Sequence, residues 1–71
     1  MRNEQLLRLA EALDRLPEAQ RQAVELHYLH GRPLAEIAVQ LGRGKSAVAG
    51  LLHRGLNKLR DLLQDKQRDQ P

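Results

Sequence analysis

The side chains best able to act chemically cluster in the second half of the chain: Arg43, Lys45, Ser46, His53, Arg54 and Lys58. Lys45 and Ser46 follow the run Gly42-Arg43-Gly44, at the expected start of a helix. There a hydroxyl and the unpaired N–H groups of the first turn can together hold a phosphate. Arg43, Arg54 and Lys58 add positive charge around that point. His53 falls on the same outward arc, either as a phosphate or base contact or simply as an exposed side chain. Gly50 lies there too, and an exposed mid-helix glycine costs about 1 kcal/mol relative to alanine. Either the helix backbone approaches a duplex closely at Gly50, or the glycine is a tolerated imperfection.

Other chemistries are poorly provided for. The chain has one serine, no threonine and no cysteine, so nucleophilic catalysis would rest on Ser46 without a placed base. Gly44-Lys45-Ser46 has the ending of a phosphate-binding loop, but that motif needs glycine where this chain has Val39. His27 and His30 are spaced to share a metal, with Glu36 as a distant third ligand; the alternative is two ordinary helix histidines. The expectation is a protein that is not an enzyme and uses no cofactor or metal.

The elements that must position these residues are helical. Seventy-one residues make one small domain, and its apolar side chains are almost all Leu, Ala, Val and Ile, with Tyr28 the only aromatic. Such a core suits helices packed on helices. No apolar run is long enough to span a bilayer and no signal-peptide pattern is present, so the expected location is the cytoplasm, away from membranes. Residues 31–60 hold six basic side chains (Arg32, Arg43, Lys45, Arg54, Lys58, Arg60) against Glu36 alone, net +5 in a chain of net +3, which leaves −2 on the remainder. A basic segment on a nearly neutral body is the footprint of a phosphate-binding face, the alternative being a solvated helix surface.

Leu6, Leu9, Ala10, Leu13 and Leu16 are spaced as one buried face of a first helix over residues 3–16, with Asn3 as N-cap and Glu4 near the positive end of the dipole. Pro17 ends it and suits the first turn of the next, where its missing N–H has no partner to lose. That second helix is expected from about Pro17 to His30, burying Ala19 or Ala23, Val24, Tyr28 and also Leu26 and Leu29, and closed by Gly31 in the left-handed region. Pro33 opens a third, with Leu34, Ile37, Ala38 and Leu41 inward and Gly42 at its end. Gly44 takes the N-cap of a fourth, Lys45 to about Gln64, whose inner stripe is Val48, Leu52, Gly55, Leu56, Leu59 and Leu63. The opposite arc holds Ser46, Gly50, His53, Asn57, Arg60 and Asp61, with Arg54 at its border. Gly55 lets a neighbouring helix pack closely, and Leu51 and Leu62 either cover the first helix or meet a protein partner. Residues 65–71 form a polar tail that frays, so the single domain is ordered over about 3–64. The expected fold is all-α, four helices ending in a helix-turn-helix whose second helix enters the DNA major groove.

Leu16-Pro17-Glu18, Arg21, Val24, Leu26, Gly31, Glu36-Ile37-Ala38, Leu41-Gly42, Val48, Leu52 and His53-Arg54-Gly55-Leu56, with Lys58-Leu59-Arg60, resemble region four of bacterial RNA polymerase sigma factors, most closely the extracytoplasmic-function type. The resemblance covers roughly residues 9–63. It implies binding of the −35 promoter element through residues 45–60, docking on the flap of the polymerase β subunit, and sequestration by an anti-sigma factor in many members. It carries DNA contacts onto Lys45, Ser46, Ala49, Gly50, His53 and Arg54; Arg32 and Arg43 are flanking candidates for backbone contact from charge and placement. Ala49-Gly50 stands where members often carry a basic and a small polar residue, and Leu51 where they frequently carry Arg. Base readout would then fall to Ser46, His53, Arg54, methyl contacts by Ala49, or DNA shape. Two other readings remain open: the output domain of a response regulator or other non-sigma regulator, and a protein-interaction module that binds an anti-sigma factor or polymerase without reading DNA. The chain is either the C-terminal part of a longer protein or a stand-alone relative.

Overall fold

Proline and glycine set nearly every boundary in the computed structural model, which describes residues 3–68, with side chains described for 4–64. Four helices follow in order: α1 Asn3–Asp14, α2 Glu18–Val24, α3 Leu34–Leu41 and α4 Lys45–Arg68. A π-helical turn, Glu25–Leu29, continues α2. The all-α expectation holds.

α1 ends two residues before the expected point. The N–H groups of Arg15 and Leu16 donate to the carbonyls of Ala12 and Leu13 at 3.0 and 3.1 Å, the tighter pattern common at helix ends. The expected cap at Asn3 concerns a side chain outside the described residues. The buried seam is Leu9, Ala12, Leu13 and Leu16. Leu6 is 63% exposed and Ala10 is exposed, against expectation. The reason is that α1 packs chiefly on α4, and a helix with one main neighbour buries a narrow seam rather than a broad stripe.

Pro17 sits one step earlier than expected, as the N-cap of α2 with extended ψ of 146°, and its carbonyl accepts the Arg21 N–H at 2.9 Å. Ala23 and Val24 are buried and Ala19 and Leu26 partly so. Beyond Val24 the α-helical expectation fails. The His30 N–H donates to the Glu25 carbonyl, five residues back, at 3.1 Å. This wider turn shifts the phase of the side chains that follow. Tyr28, expected inside, is 54% exposed and Leu29 is exposed as well. Gly31, at φ +70°, closes the element as expected.

α3 buries Ile37 and Ala38, with Leu34 and Leu41 packed against the core. Gly42 ends it at φ +68°, with its own N–H directed to the Val39 carbonyl and that of Arg43 to Ala38 at 2.9 Å. This paired closure reverses the chain in the fewest residues.

α4 crosses α1, α2 and α3. It runs past the expected end at Gln64 to Arg68, so residues 65–68 of the expected tail are helical, and 69–71 lie outside the described residues. Its inner stripe is Val48, Leu51, Leu52, Gly55 and Leu59, with Leu62 and Leu63 partly buried. Leu51, only 6% exposed, covers the core; Leu56, expected inside, is 38% exposed. At about 100° per residue Leu51 lies about 60° to one side of Val48 and Leu56 about 80° to the other, outside the covered arc.

Gly55 fixes that rotation. A Cβ there would stand 2.8 Å from Val24 Cγ2 and 3.6 Å from the Gln20 carbonyl, so α4 lies on α2 with no room for a methyl. Gly55→Ala should therefore lower stability by about 1–2 kcal/mol in urea unfolding, overpacking outweighing the helix-propensity gain. Adding Val24→Ala should make the combined loss smaller than the sum of the two single losses.

Candidate nucleic-acid interface

The turn between α3 and α4 builds the site. Gly42 closes α3, Arg43 occupies the turn, and Gly44 caps α4 through its carbonyl, which accepts the Val48 N–H at 3.0 Å. Glycine has no side chain with which to cap the N–H groups of the first turn, which remain available to an external acceptor. No acidic residue stands in that turn, so nothing offsets the positive end of the dipole.

Arg43, Lys45, Ser46, Ala49, His53, Arg54 and Lys58 are all exposed, as the sequence predicts, while Val48, Leu51 and Leu52 anchor the same helix from beneath. Gly50 is half-buried because the Arg54 guanidinium lies over it: a Cβ at Gly50 would meet Nη1 at 3.4 Å and Nη2 at 3.6 Å, ordinary contact distances. Packing within the domain therefore gives no reason for glycine at this position. Among the described residues no carboxylate pairs with Arg43, Lys45, Arg54, Lys58 or Arg60.

Arg32 differs. Its Nη1 donates to Glu36 Oε1 at 3.3 Å, so the one acid of the basic segment offsets a residue expected to touch the DNA backbone. The acids of α2 and the π turn, Glu18 and Glu25, are engaged elsewhere. Arg21 binds Glu18 and, at 3.1 Å, Glu25, and these carboxylates, Glu18 foremost, hold the guanidinium pKa above its ordinary range.

Two features were less legible. His27 serves the fold: its Nδ1 bonds the Arg32 carbonyl at 2.9 Å, tying the π turn to the loop before α3, and its ring meets Tyr28 edge-on at 4.6 Å. His27, His30 and Glu36 form no three-ligand group among the described residues. On α4, Asn57 and Arg60 join His53 in one chain. Asn57 Nδ2 lies 3.4 Å from His53 Nε2, and Arg60 Nη2 donates to Asn57 Oδ1 at 3.3 Å. Their spacing along one face is visible in the sequence, but the linkage is not.

No helix among the described residues is long and apolar enough to cross a membrane. No curated protein matches the chain closely enough to count as a relative. A family model described as "Sigma-70, region 4" matches residues 6–59, most of the chain and nearly all of the packed helices. By that match, and with the exposed basic helix behind a glycine turn, the chain belongs to the sigma-70 region 4 family of helix-turn-helix, DNA-binding transcription domains, which are involved in binding the −35 promoter element.

Proposed function

We propose that the domain recognises a −35 promoter element with α4 while held on RNA polymerase, as the region-four part of a sigma factor of the extracytoplasmic-function type working in the cytoplasm. The observation that carries this reading is the first turn of α4, whose N–H groups no side chain of Gly44 can cap, with exposed Arg43 and Lys45 beside it and the Arg54 guanidinium lying over Gly50 beyond it, none of the three paired with a carboxylate among the described residues. Phosphates supply most of the affinity at such a face. Ser46, His53 and Arg54 offer the polar contacts to base edges, and Ala49 offers a methyl to thymine. The role is binding; no catalysis is assigned to any residue.

Polymerase supplies the second attachment. Leu6, Leu7, Tyr28, Leu29 and Val39 are exposed apolar side chains on α1, the π turn and α3 rather than on the outward arc of α4. They suit a protein partner, the β-subunit flap or a competing anti-sigma factor. A single module of this size binds DNA weakly alone and gains from being tethered at the promoter.

Reversing two charges tests the DNA face. Lys45→Glu with Arg54→Glu should abolish duplex binding, measured by fluorescence anisotropy over a salt series, and leave capture of a recombinant β flap unchanged. Unchanged duplex affinity would remove DNA from the account, and dimer-dependent operator binding without flap capture would favour a non-sigma regulator. Gly50→Ala should raise the thermal midpoint by roughly 4–8 °C while weakening duplex binding, if the bare backbone meets DNA. A variant that is firmer and binds equally well would make Gly50 a mere imperfection. Glu36→Gln, which frees Arg32, should tighten binding about two- to fivefold in the same assay.

A further inference from the structure

We propose that Asn57 and Arg60 form a second phosphate-binding arm on α4, which grips the far wall of the major groove and fixes His53 as a hydrogen-bond donor. The inference rests on α4 being the DNA-facing helix and extends that face beyond the first turns. Arginine only donates, so the Asn57 atom facing Arg60 at 3.3 Å is Oδ1 and the one facing His53 at 3.4 Å is the amide nitrogen. The amide donates in its turn, so His53 Nε2 accepts and the ring proton resides on Nδ1. One asparagine thereby orients two neighbours: it steadies the Arg60 guanidinium and leaves His53 with a single defined donor.

Geometry gives the arm its target. Ser46 and Arg60 share the outward arc and stand about 21 Å apart along the axis, at 1.5 Å per residue. The major groove is about 12 Å wide. A straight helix lying in that curved groove with its first turns on base edges draws away from the bases along its length, and by Arg60 comes level with a phosphate ribbon. Between the two ends stand Ala49 and Gly50, the smallest side chains, where the helix would lie deepest. Arg60 is exposed and pairs with no carboxylate among the described residues, although Asp61 adjoins it in sequence.

The test uses short duplexes enriched from a randomised library by the wild-type chain, titrated by anisotropy over a salt series. Arg60→Gln should lower the slope of log affinity against log salt by about 0.9, the value for one lost phosphate contact. It should weaken enriched and scrambled duplexes by the same factor, and Arg60→Lys should retain the slope. Asn57→Ala, which removes a positioning residue, should weaken binding less and add nothing further in the Arg60→Gln background. An unchanged slope in Arg60→Gln, where Lys45→Gln lowers it, would overturn the arm and leave α4 as the DNA-facing helix. Additive losses at Asn57 and Arg60 would break the link between them. Absence of any salt-dependent duplex binding by the wild-type chain, even at the weak affinity expected of an untethered module, would overturn the DNA-facing reading and the arm together.

Discussion

A missing methyl group governs this domain. Because Gly55 has no Cβ, α4 settles against Val24 of α2 at a distance that no other residue allows. Rotation of a long helix about its axis is otherwise weakly determined, since a leucine-rich stripe can shift by a residue and still bury much the same area. The contact at Gly55 removes that freedom. It centres the covered arc on Val48 and Leu59, draws Leu51 inward, and leaves Leu56 on the flank. The side chains that face outward, from Ser46 to Arg60, are set by the same act.

Electrostatics completes what packing begins. The acids and bases of α2 and the π turn satisfy one another through Arg21, Glu18 and Glu25, so that part of the surface projects little field. Among the described residues the helix-turn-helix keeps nearly all of its positive charge unpaired, with Arg32 moderated by Glu36. Local neutralisation in one half and local surplus in the other give the molecule a direction, although its total charge is only +3. That direction suits a polyanion and would orient the encounter before any specific contact forms.

Most of this architecture is legible in the sequence because its punctuation is chemically unambiguous. Gly31 and Gly42 adopt the left-handed conformation, and Pro17 and Pro33 precede helices, for reasons that hold in any context. The inward stripe of α3 and the close approach at Gly55 also follow from spacing. What escapes are features decided by neighbours. The π turn after Val24 leaves no compositional mark, and Tyr28 and Leu29, expected in the core, stay outside it. Leu6 and Ala10 have the right period, but α4 covers only a narrow seam of α1. In the interface, each expected cation on α4 is exposed, yet the pairing of Arg32 and the chain from His53 to Arg60 depend on rotamers, which periodicity does not encode.

Gly44 gives the turn a particular openness. A serine or aspartate at that position would bond its own helix end, as most N-caps do, and the isolated domain would be a few tenths of a kcal/mol firmer for it. The donors would then be occupied internally, and an incoming anion would have to compete with a tethered rival at very high local concentration. By leaving the helix mouth without a plug of its own, the sequence gives up a little self-sufficiency and keeps the first-turn donors open to an anion from outside.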